Sequence, residues 1–118
     1  MAYLLLIVEP RGQREARTPD EGRQAYAQMV AFGESLKERG LLTASHSLLP
    51  DVHGVRVQQR EGKSVLKDGP FAEAKEMVGG FFLLDCTSRD EAIAAAAECP
   101  AAAWATVEVR ETGPCFVS

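Results

Sequence analysis

Four ionisable side chains lie close together around a proline turn, and they are the residues of this chain best suited to moving a proton. In chain order they are Asp68, Glu73, Lys75 and Glu76. Carboxylates beside a lysine in a partly buried cleft form an acid–base set, because desolvation and opposite charge tune their protonation. Asp68, Lys75 and Glu76 are therefore predicted to be catalytic. The alternative is a solvated face or an intersubunit ion-pair cluster, since exposed ion pairs are common.

The turn itself, Asp68-Gly69-Pro70-Phe71, also has a structural explanation that needs no ligand. Pro70 fixes its own φ and pushes Gly69 out of the helical region, while the Asp68 carboxylate can accept backbone N–H groups and brace the turn. Phe71 would then enter the core. The functional interpretation adds Asp68 as a proton acceptor at the mouth of a pocket, and the sequence leaves both open.

Other side chains are candidates for ligand binding because the periodicity of their element directs them to one face. Arg56 and Arg110 lie in alternating strand patterns, and a guanidinium fork suits the carboxylate or phosphate of a substrate. Tyr26 lies on the apolar stripe of the first long helix. The predicted ligand-binding residues are Arg56, Glu73, Arg110 and Tyr26. Both arginines fit equally well as ion-pair partners of nearby glutamates.

His46 is a further predicted catalytic residue, because an imidazole titrates near neutral pH and can act as a general base. The other histidine, His53, lies seven residues away, with no cysteine or clustered carboxylates at ligand spacing. We therefore predict no metal site and no cofactor. The cysteines have no histidine neighbour in sequence to activate them, so none is predicted as a nucleophile. They are Cys86, Cys99 and Cys115.

Length and composition exclude several classes of partner. A chain of 118 residues fits one domain, predicted over residues 1–111 with a tail over residues 112–118. The net charge of -4 comes from 13 basic and 17 acidic residues without a basic block, so no nucleic-acid partner is predicted. The apolar run Tyr3–Val8 is far shorter than the roughly 20 residues of a membrane span. An odd number of cysteines without CxxC spacing fits reduced thiols in the cytoplasm.

The residue patterns predict the order β, α, β, β-hairpin, β, α, β. Thr18-Pro19-Asp20-Glu21 predicts a capping box with proline at the first position of a helix that ends at Gly40. Ser88-Arg89-Asp90-Glu91 predicts a second capping box, on a helix that Pro100 ends near Cys99. Gly79-Gly80 predicts a bulge or a close backbone approach within a strand. The predicted strands are Tyr3–Val8, Leu41–Leu49, the hairpin Val55–Arg60 with Ser64–Leu66, Val78–Cys86 and Ala105–Glu111.

Two of these strands are apolar at every position, which indicates a sheet that needs cover on both faces. They are Tyr3–Val8 and Phe81–Leu84. Two helices cover only one face of a sheet, so the layout predicts an α+β fold of the ferredoxin-like split βαβ type, antiparallel and with an inserted β-hairpin. The uncovered face predicts a homodimer packed sheet against sheet. The alternative is that the hairpin and tail cover this face within one subunit.

The chain resembles the YCII-related proteins, specifically the branch named for its DGPF motif. The resemblance rests on five segments that occur in the same order, namely Tyr3–Ile7, Val55–Val57, Asp68–Glu76, Gly79-Gly80-Phe81 and Val107–Arg110. It implies a ferredoxin-like dimeric α/β barrel. Relatives in the wider group act on chlorinated aromatic breakdown products through a proposed histidine–aspartate pair. This chain has no histidine up to Gly40, so that pair is not carried over.

Three functional hypotheses follow. The first is a small-molecule enzyme of the isomerase, lyase or dehalogenase type, which transfers protons in the cleft between the first helix and the sheet. The second is a non-catalytic binding or regulatory module, because the resemblance implies a link to extracytoplasmic-function sigma factor signalling. The third is that the motif is chiefly architectural. The fold alone cannot separate them, because this scaffold hosts many activities.

Overall fold

The computed structural model describes residues 1–116, and Val117 and Ser118 lie outside the described part. Its strands are β1 (Ala2–Pro10), β2 (Leu42–Ser47), β3 (Val55–Arg60), β4 (Lys63–Asp68), β5 (Glu76–Asp85) and β6 (Thr106–Glu111). Its helices are α1 (Gln13–Ala16), α2 (Pro19–Glu38) and α3 (Arg89–Glu98). Two short 3₁₀ turns, Asp51–His53 and Pro100–Ala103, complete the set. The predicted element order is confirmed, whereas α1 was not predicted.

Four strands form one antiparallel sheet in the order β2-β5-β1-β6, and β3 and β4 form a separate hairpin. Strands β1 and β5, which are distant in sequence, lie side by side in the centre. This order is the one that two βαβ units with an inserted hairpin produce. The prediction of an α+β fold with antiparallel pairing is confirmed.

Helix α2 has the N-terminal structure that its sequence predicts. The Thr18 hydroxyl accepts a hydrogen bond from the backbone N–H of Glu21, and the Glu21 carboxylate accepts from the backbone N–H of Thr18. Helix α3 differs in one respect. Its Ser88 hydroxyl accepts from the N–H of Glu91, but the Glu91 carboxylate accepts from Thr87 rather than from Ser88. The second capping box is therefore only half formed.

The core lies between the sheet and the helices. Alternate residues of β1 point toward the helices, and Tyr3, Leu5 and Ile7 are buried there. Phe82 of β5 lies on the same side and meets the edge of Phe32 of α2, with ring centroids 5.2 Å apart. Helix α3 packs closely against the sheet because the side chains that it turns toward the sheet are alanines. They are Ala92, Ala95 and Ala96.

The opposite face of the sheet is open in the single chain. The residues of β1 that alternate with the core, Leu4, Leu6 and Val8, are only half-buried. The molecule is 19 Å thick, about the depth of one helix layer on one sheet. All residues of β3 and β4 are exposed, so the hairpin does not cover the open face within this described chain. The predicted tail begins after β6, and its Phe116 is exposed.

Of the helices in residues 1–116, none combines the length and the hydrophobicity of a membrane span.

Candidate functional site in the helix–sheet cavity

A buried carboxylate occupies the end of the apolar face of β1. Residues alternate along a strand, so the face that carries Tyr3, Leu5 and Ile7 also carries Glu9. Glu9 is only 4% exposed, which makes it the one charged residue buried among residues 1–116. A carboxylate is costly to remove from water unless it is paired and hydrogen-bonded. Glu9 therefore needs a partner.

That partner is Arg14 of α1. Its Nε donates to Glu9 Oε1 at 2.5 Å and its Nη2 to Glu9 Oε2 at 3.3 Å. The same guanidinium donates to the backbone carbonyls of Leu48 and Gly79 at 2.8 and 3.2 Å. Arg14 thus ties β1, β5 and the segment after β2 together, and its planar fork holds the carboxylate in one orientation.

Gly79 and Gly80 make room for this pair. The register of β1 against β5 shifts between Ile7 and Val8, which confirms the predicted bulge. A Cβ on Gly79 would overlap the Glu9 carboxylate, and a Cβ on Gly80 would lie 2.9 Å from the carbonyl oxygen of His46. The glycine pair therefore serves both the buried carboxylate and the close approach of β2.

A cavity of about 600 Å³ lies between α2 and the sheet, and Glu9 and Arg14 form part of its wall. Helix α2 contributes residues from Gly22 to Lys37 at helical spacing, so the cavity follows the helix for roughly 22 Å at 1.5 Å per residue. We call it the helix–sheet cavity. Its length and largely apolar lining suit a small or elongated organic molecule.

Aromatic and cationic side chains also line the helix–sheet cavity. Tyr26 and Trp104 provide ring faces, and Arg17 and Lys37 provide positive charge. The guanidinium of Arg17 lies 4.4 Å from the centre of the Trp104 ring, a cation–π contact that fixes both groups. The cavity can therefore hold a planar ring and stabilise negative charge on it.

Two residues predicted for the site border this cavity, namely Tyr26 and His46. Tyr26 is 61% exposed, so it is free to contact a ligand. His46 pairs in register with Phe81, and their rings lie 5.8 Å apart. Because Phe82 faces α2, its neighbour Phe81 and the paired His46 side chain point to the open face. The imidazole is thus directed away from Glu9.

The predicted catalytic residues Asp68, Lys75 and Glu76 do not line the helix–sheet cavity. Asp68 ends β4 and is exposed, and Lys75 is exposed in the loop before β5. Among the ion pairs of residues 1–116, none includes Asp68 or Lys75. Asp68 and Lys75 therefore do not lie together in a partly buried cleft.

Asp51, rather than Asp68, braces the turn of the DGPF motif. The Asp51 carboxylate accepts from the backbone N–H of Phe71 at 3.3 Å and receives both Nη groups of Arg11. Arg11 Nε also donates to the carbonyl of Ala74 at 2.7 Å. Among the described residues, no hydrogen bond to the Asp68 side chain is found, so the predicted brace by Asp68 is wrong. The predicted burial of Phe71 is confirmed, at 7% exposure.

The Arg11–Asp51 pair predicts a specific response to acid. The hydrogen bond from Arg11 lowers the pKa of Asp51 below its ordinary value of 3.8. The stability it adds is present above that value and is lost as pH falls through the lowered pKa. We expect wild-type unfolding free energy, measured by urea titration, to drop on acidification more steeply than that of Asp51→Asn. Asp68→Asn is the matched control and should follow the wild type; equal pH slopes for all three would contradict this account.

A second, more open cavity of about 620 Å³ lies at the root of the hairpin. It gathers Arg56 and Glu76, both predicted as site residues, together with His53. The Arg56 guanidinium stacks on Phe71 at 3.8 Å and pairs with Glu73 at 3.2 Å. Arg56 is thus held by its neighbours, as the ion-pair alternative predicted.

Glu73 and Arg110 also have protein partners. Glu73 pairs with Lys67 at 3.0 Å as well as with Arg56. The pKa of Glu73 is lowered, mainly by a hydrogen bond from its own backbone N–H and next by the hydrogen bond from Lys67. Arg110 pairs with Glu108 on β6 at 3.2 Å. Because solvent screens these exposed pairs, each adds little to stability. Neither residue lines the helix–sheet cavity.

Burial raises the pKa of the Cys86 and Cys99 thiols, which makes them poor nucleophiles at neutral pH. In residues 1–116, no group of three metal-ligating side chains comes together.

The amino-acid sequence matches a known protein family over nearly its whole length. The model of the YCII-related domain matches residues 1–114, and the chain belongs to this family. A relative from Rhizobium meliloti (strain 1021), called uncharacterized protein R00369, is 31% identical over 93 residues. That match covers 79% of this chain and 75% of the relative.

A solved structure with the same fold is 5-chloro-2-hydroxyhydroquinone dehydrochlorinase (TftG) from Burkholderia phenoliruptrix AC1100, in complex with 2,5-dihydroxybenzoquinone. The TM-score is 0.57, over 96% of this chain and 94% of that chain. At 18% identity, the likeness establishes the fold alone.

Proposed function

We propose that this protein binds small, planar, oxygenated molecules in the helix–sheet cavity and transfers a proton on them. The observation that carries the proposal is the buried Glu9 carboxylate in the wall of a largely apolar cavity. An ionised carboxylate has about four lone-pair sites, and Arg14 occupies only two of them. Glu9 can therefore still accept a hydrogen bond from a ligand hydroxyl.

The chemistry would begin with that hydroxyl. Glu9 would take its proton, and the negative charge left on the ring oxygen would be stabilised by a cation such as Arg17. Tyr26 and Trp104 would hold the ring by their faces. Glu9 could then return that proton to a ring carbon, which gives the keto tautomer, as in an isomerase. If that carbon carries a halide, the halide ion could leave as a second ring hydroxyl gives its proton to Glu9, so that a hydrogen halide is lost overall, as in a lyase or dehalogenase. The ring class is suggested by the 2,5-dihydroxybenzoquinone bound to the structural neighbour.

The binding step is testable by calorimetric titration with 2,5-dihydroxybenzoquinone. We expect Tyr26→Ala to weaken binding by about tenfold, since one ring contact contributes about 0.5–1.5 kcal/mol beyond its buried area. Arg23→Ala is the matched control, because Arg23 lies one turn earlier on α2, outside the cavity, and pairs with Asp20. Equal affinities for both variants would contradict binding in this cavity.

A non-catalytic module is the second candidate, and one observation favours it. Both Glu9 oxygens already accept from Arg14, and among the described residues no imidazole, thiol or second carboxylate hydrogen-bonds to Glu9. The cavity would then sense a metabolite for a regulatory system, as the sigma factor association of DGPF-branch proteins suggests. Binding of the probe without turnover of any hydroxylated ring compound would support this candidate over the enzyme.

The proposal includes membership of the DGPF-motif branch and assembly as a homodimer. The open sheet face supports the dimer, because its half-buried apolar residues Leu4, Leu6 and Val8 pair with Leu83, Phe81 and Val78 of β5, respectively. Packing two such faces together would give a dimeric α/β barrel of the ferredoxin-like type. The three cysteines of the described chain are free thiols, which suits the reducing cytoplasm that the proposal assigns.

A further inference from the structure

The β3–β4 hairpin is the least covered part of the molecule. Among the described residues, β3 and β4 pair only with each other, and all their side chains are exposed. A lone two-stranded hairpin is marginally stable in water. The radius of gyration is 16.2 Å, whereas a compact chain of this length has about 13.5 Å. The hairpin thus projects from the body by roughly 20 Å, the length of its six-residue strands.

The two faces of this hairpin differ sharply. Residues directly opposite each other share a face, so Val57 and Leu66 lie together in the middle of one face. Val55 lies one pair away on that face, opposite Asp68, and the polar pair Gln59 and Ser64 lies at the turn end. These three apolar side chains are 58%, 65% and 52% exposed. The other face carries four basic residues, which are Arg56, Arg60, Lys63 and Lys67. The face with Val55, Val57 and Leu66 would therefore be stabilised by packing against another apolar surface, whereas the basic face is well solvated by water.

Charge favours a second copy of this chain as the partner that supplies the cover. Residues 55–68 carry four basic and two acidic residues, whereas the rest of the chain carries nine basic and fifteen acidic residues. The net positive charge of the hairpin steers it toward the negative body of another copy at long range, although the contact itself is made by the apolar face, and symmetry makes that contact reciprocal. The exposed side chains of Leu48, Leu49 and Val52 extend the apolar surface at the hairpin root.

We infer that the hairpin is an arm that packs its apolar face against the body of a second copy of this chain. The inference rests on the homodimer proposed above and adds to it a contact outside the sheet face. Each subunit contributes one arm, so a change to one residue alters the interface twice. The basic face of each arm stays toward solvent.

The test is the dimer dissociation constant measured by analytical ultracentrifugation. The double variant Val57→Ser/Leu66→Ser removes the apolar pair, and we expect at least about tenfold weaker dimerisation, because the apolar area that stabilises the contact is lost from both arms. The matched control is Gln58→Ser/Val65→Ser, the next pair along the hairpin on the opposite face. This control should stay within about threefold of the wild type, since its side chains would remain exposed.

An unchanged dissociation constant for Val57→Ser/Leu66→Ser would overturn the arm while leaving the sheet-face dimer standing. If the wild-type protein were a monomer, both the arm contact and the sheet-face dimer would be wrong. The proposed function would still be tested separately, by the binding experiment with Tyr26→Ala. Hydrogen exchange gives a second measurement that needs no variant. Amides of residues 55–68 should gain protection as the wild-type protein concentration rises through the dissociation constant, and constant protection there would contradict docking of the arm.

Discussion

Replacing Arg14 with methionine should destabilise the folded protein by about 3–5 kcal/mol, the usual cost of leaving a buried charge without its partner. Glu9 is 4% exposed and would lose both of its hydrogen bonds from the guanidinium. The carbonyl of Leu48 would lose the guanidinium donor as well, and the carbonyl of Gly79 would keep only its hydrogen bond from the backbone N–H of Leu48. Urea unfolding followed by circular dichroism measures the change.

Two companion variants isolate the cause. Arg23→Met makes the same chemical change in an exposed ion pair and should cost no more than about 1 kcal/mol. In the double variant Glu9→Leu/Arg14→Met, most of the lost stability should return, because an apolar pair often replaces a buried ion pair without loss. Equal stability of Arg14→Met and Arg23→Met would contradict the importance assigned to the buried carboxylate.

Gly69→Ala should have the second large effect, about 3 kcal/mol of destabilisation from overpacking. A Cβ on Gly69 would overlap the carbonyl oxygen of Asp51 and lie 3.3 Å from that of Gly54. The turn would have to separate from the Asp51–His53 segment, so the hydrogen bond from Gly69 N to Gly54 O at 2.9 Å would break. Thermal unfolding measures this loss.

Gly22→Ala is the matched control for Gly69→Ala. Gly22 lies in α2, and nothing lies within 4 Å of a Cβ built on it. Alanine favours a helix more than glycine by roughly 0.5–1 kcal/mol, so this variant should be slightly more stable than the wild type. If Gly69→Ala were as stable as Gly22→Ala, the DGPF turn would not be the packed junction described above.

The elements were predictable because their signals are local. The caps of α2 depend on four adjacent residues, and the hairpin turn depends on Glu61 and Gly62, both of which have positive φ. The strand β1 was predictable from its apolar run. Local signals of this kind require no knowledge of the rest of the fold.

The candidate site was less predictable because its pairs are formed by tertiary structure. Arg11 and Asp51 are 40 residues apart, and no pattern near either one indicates the other. Glu9 had a usable signal, since the alternation of Tyr3, Leu5 and Ile7 continues to it. The predicted strand Tyr3–Val8 stops one residue before Glu9, so the prediction did not include Glu9. Pairing of β2 with β5, which directs the His46 imidazole away from Glu9, also depends on long-range contacts.

Ligand mapping by amide NMR tests the central claim, binding in the helix–sheet cavity, most directly. Isotope-labelled protein would be titrated to millimolar concentration with 2,5-dihydroxybenzoquinone, hydroquinone and catechol. The account predicts that amide shifts concentrate at Tyr26, Gly33 and Gly80 along the cavity wall. Shifts confined to the hairpin root around His53, or no shifts with any of the three compounds, would contradict it.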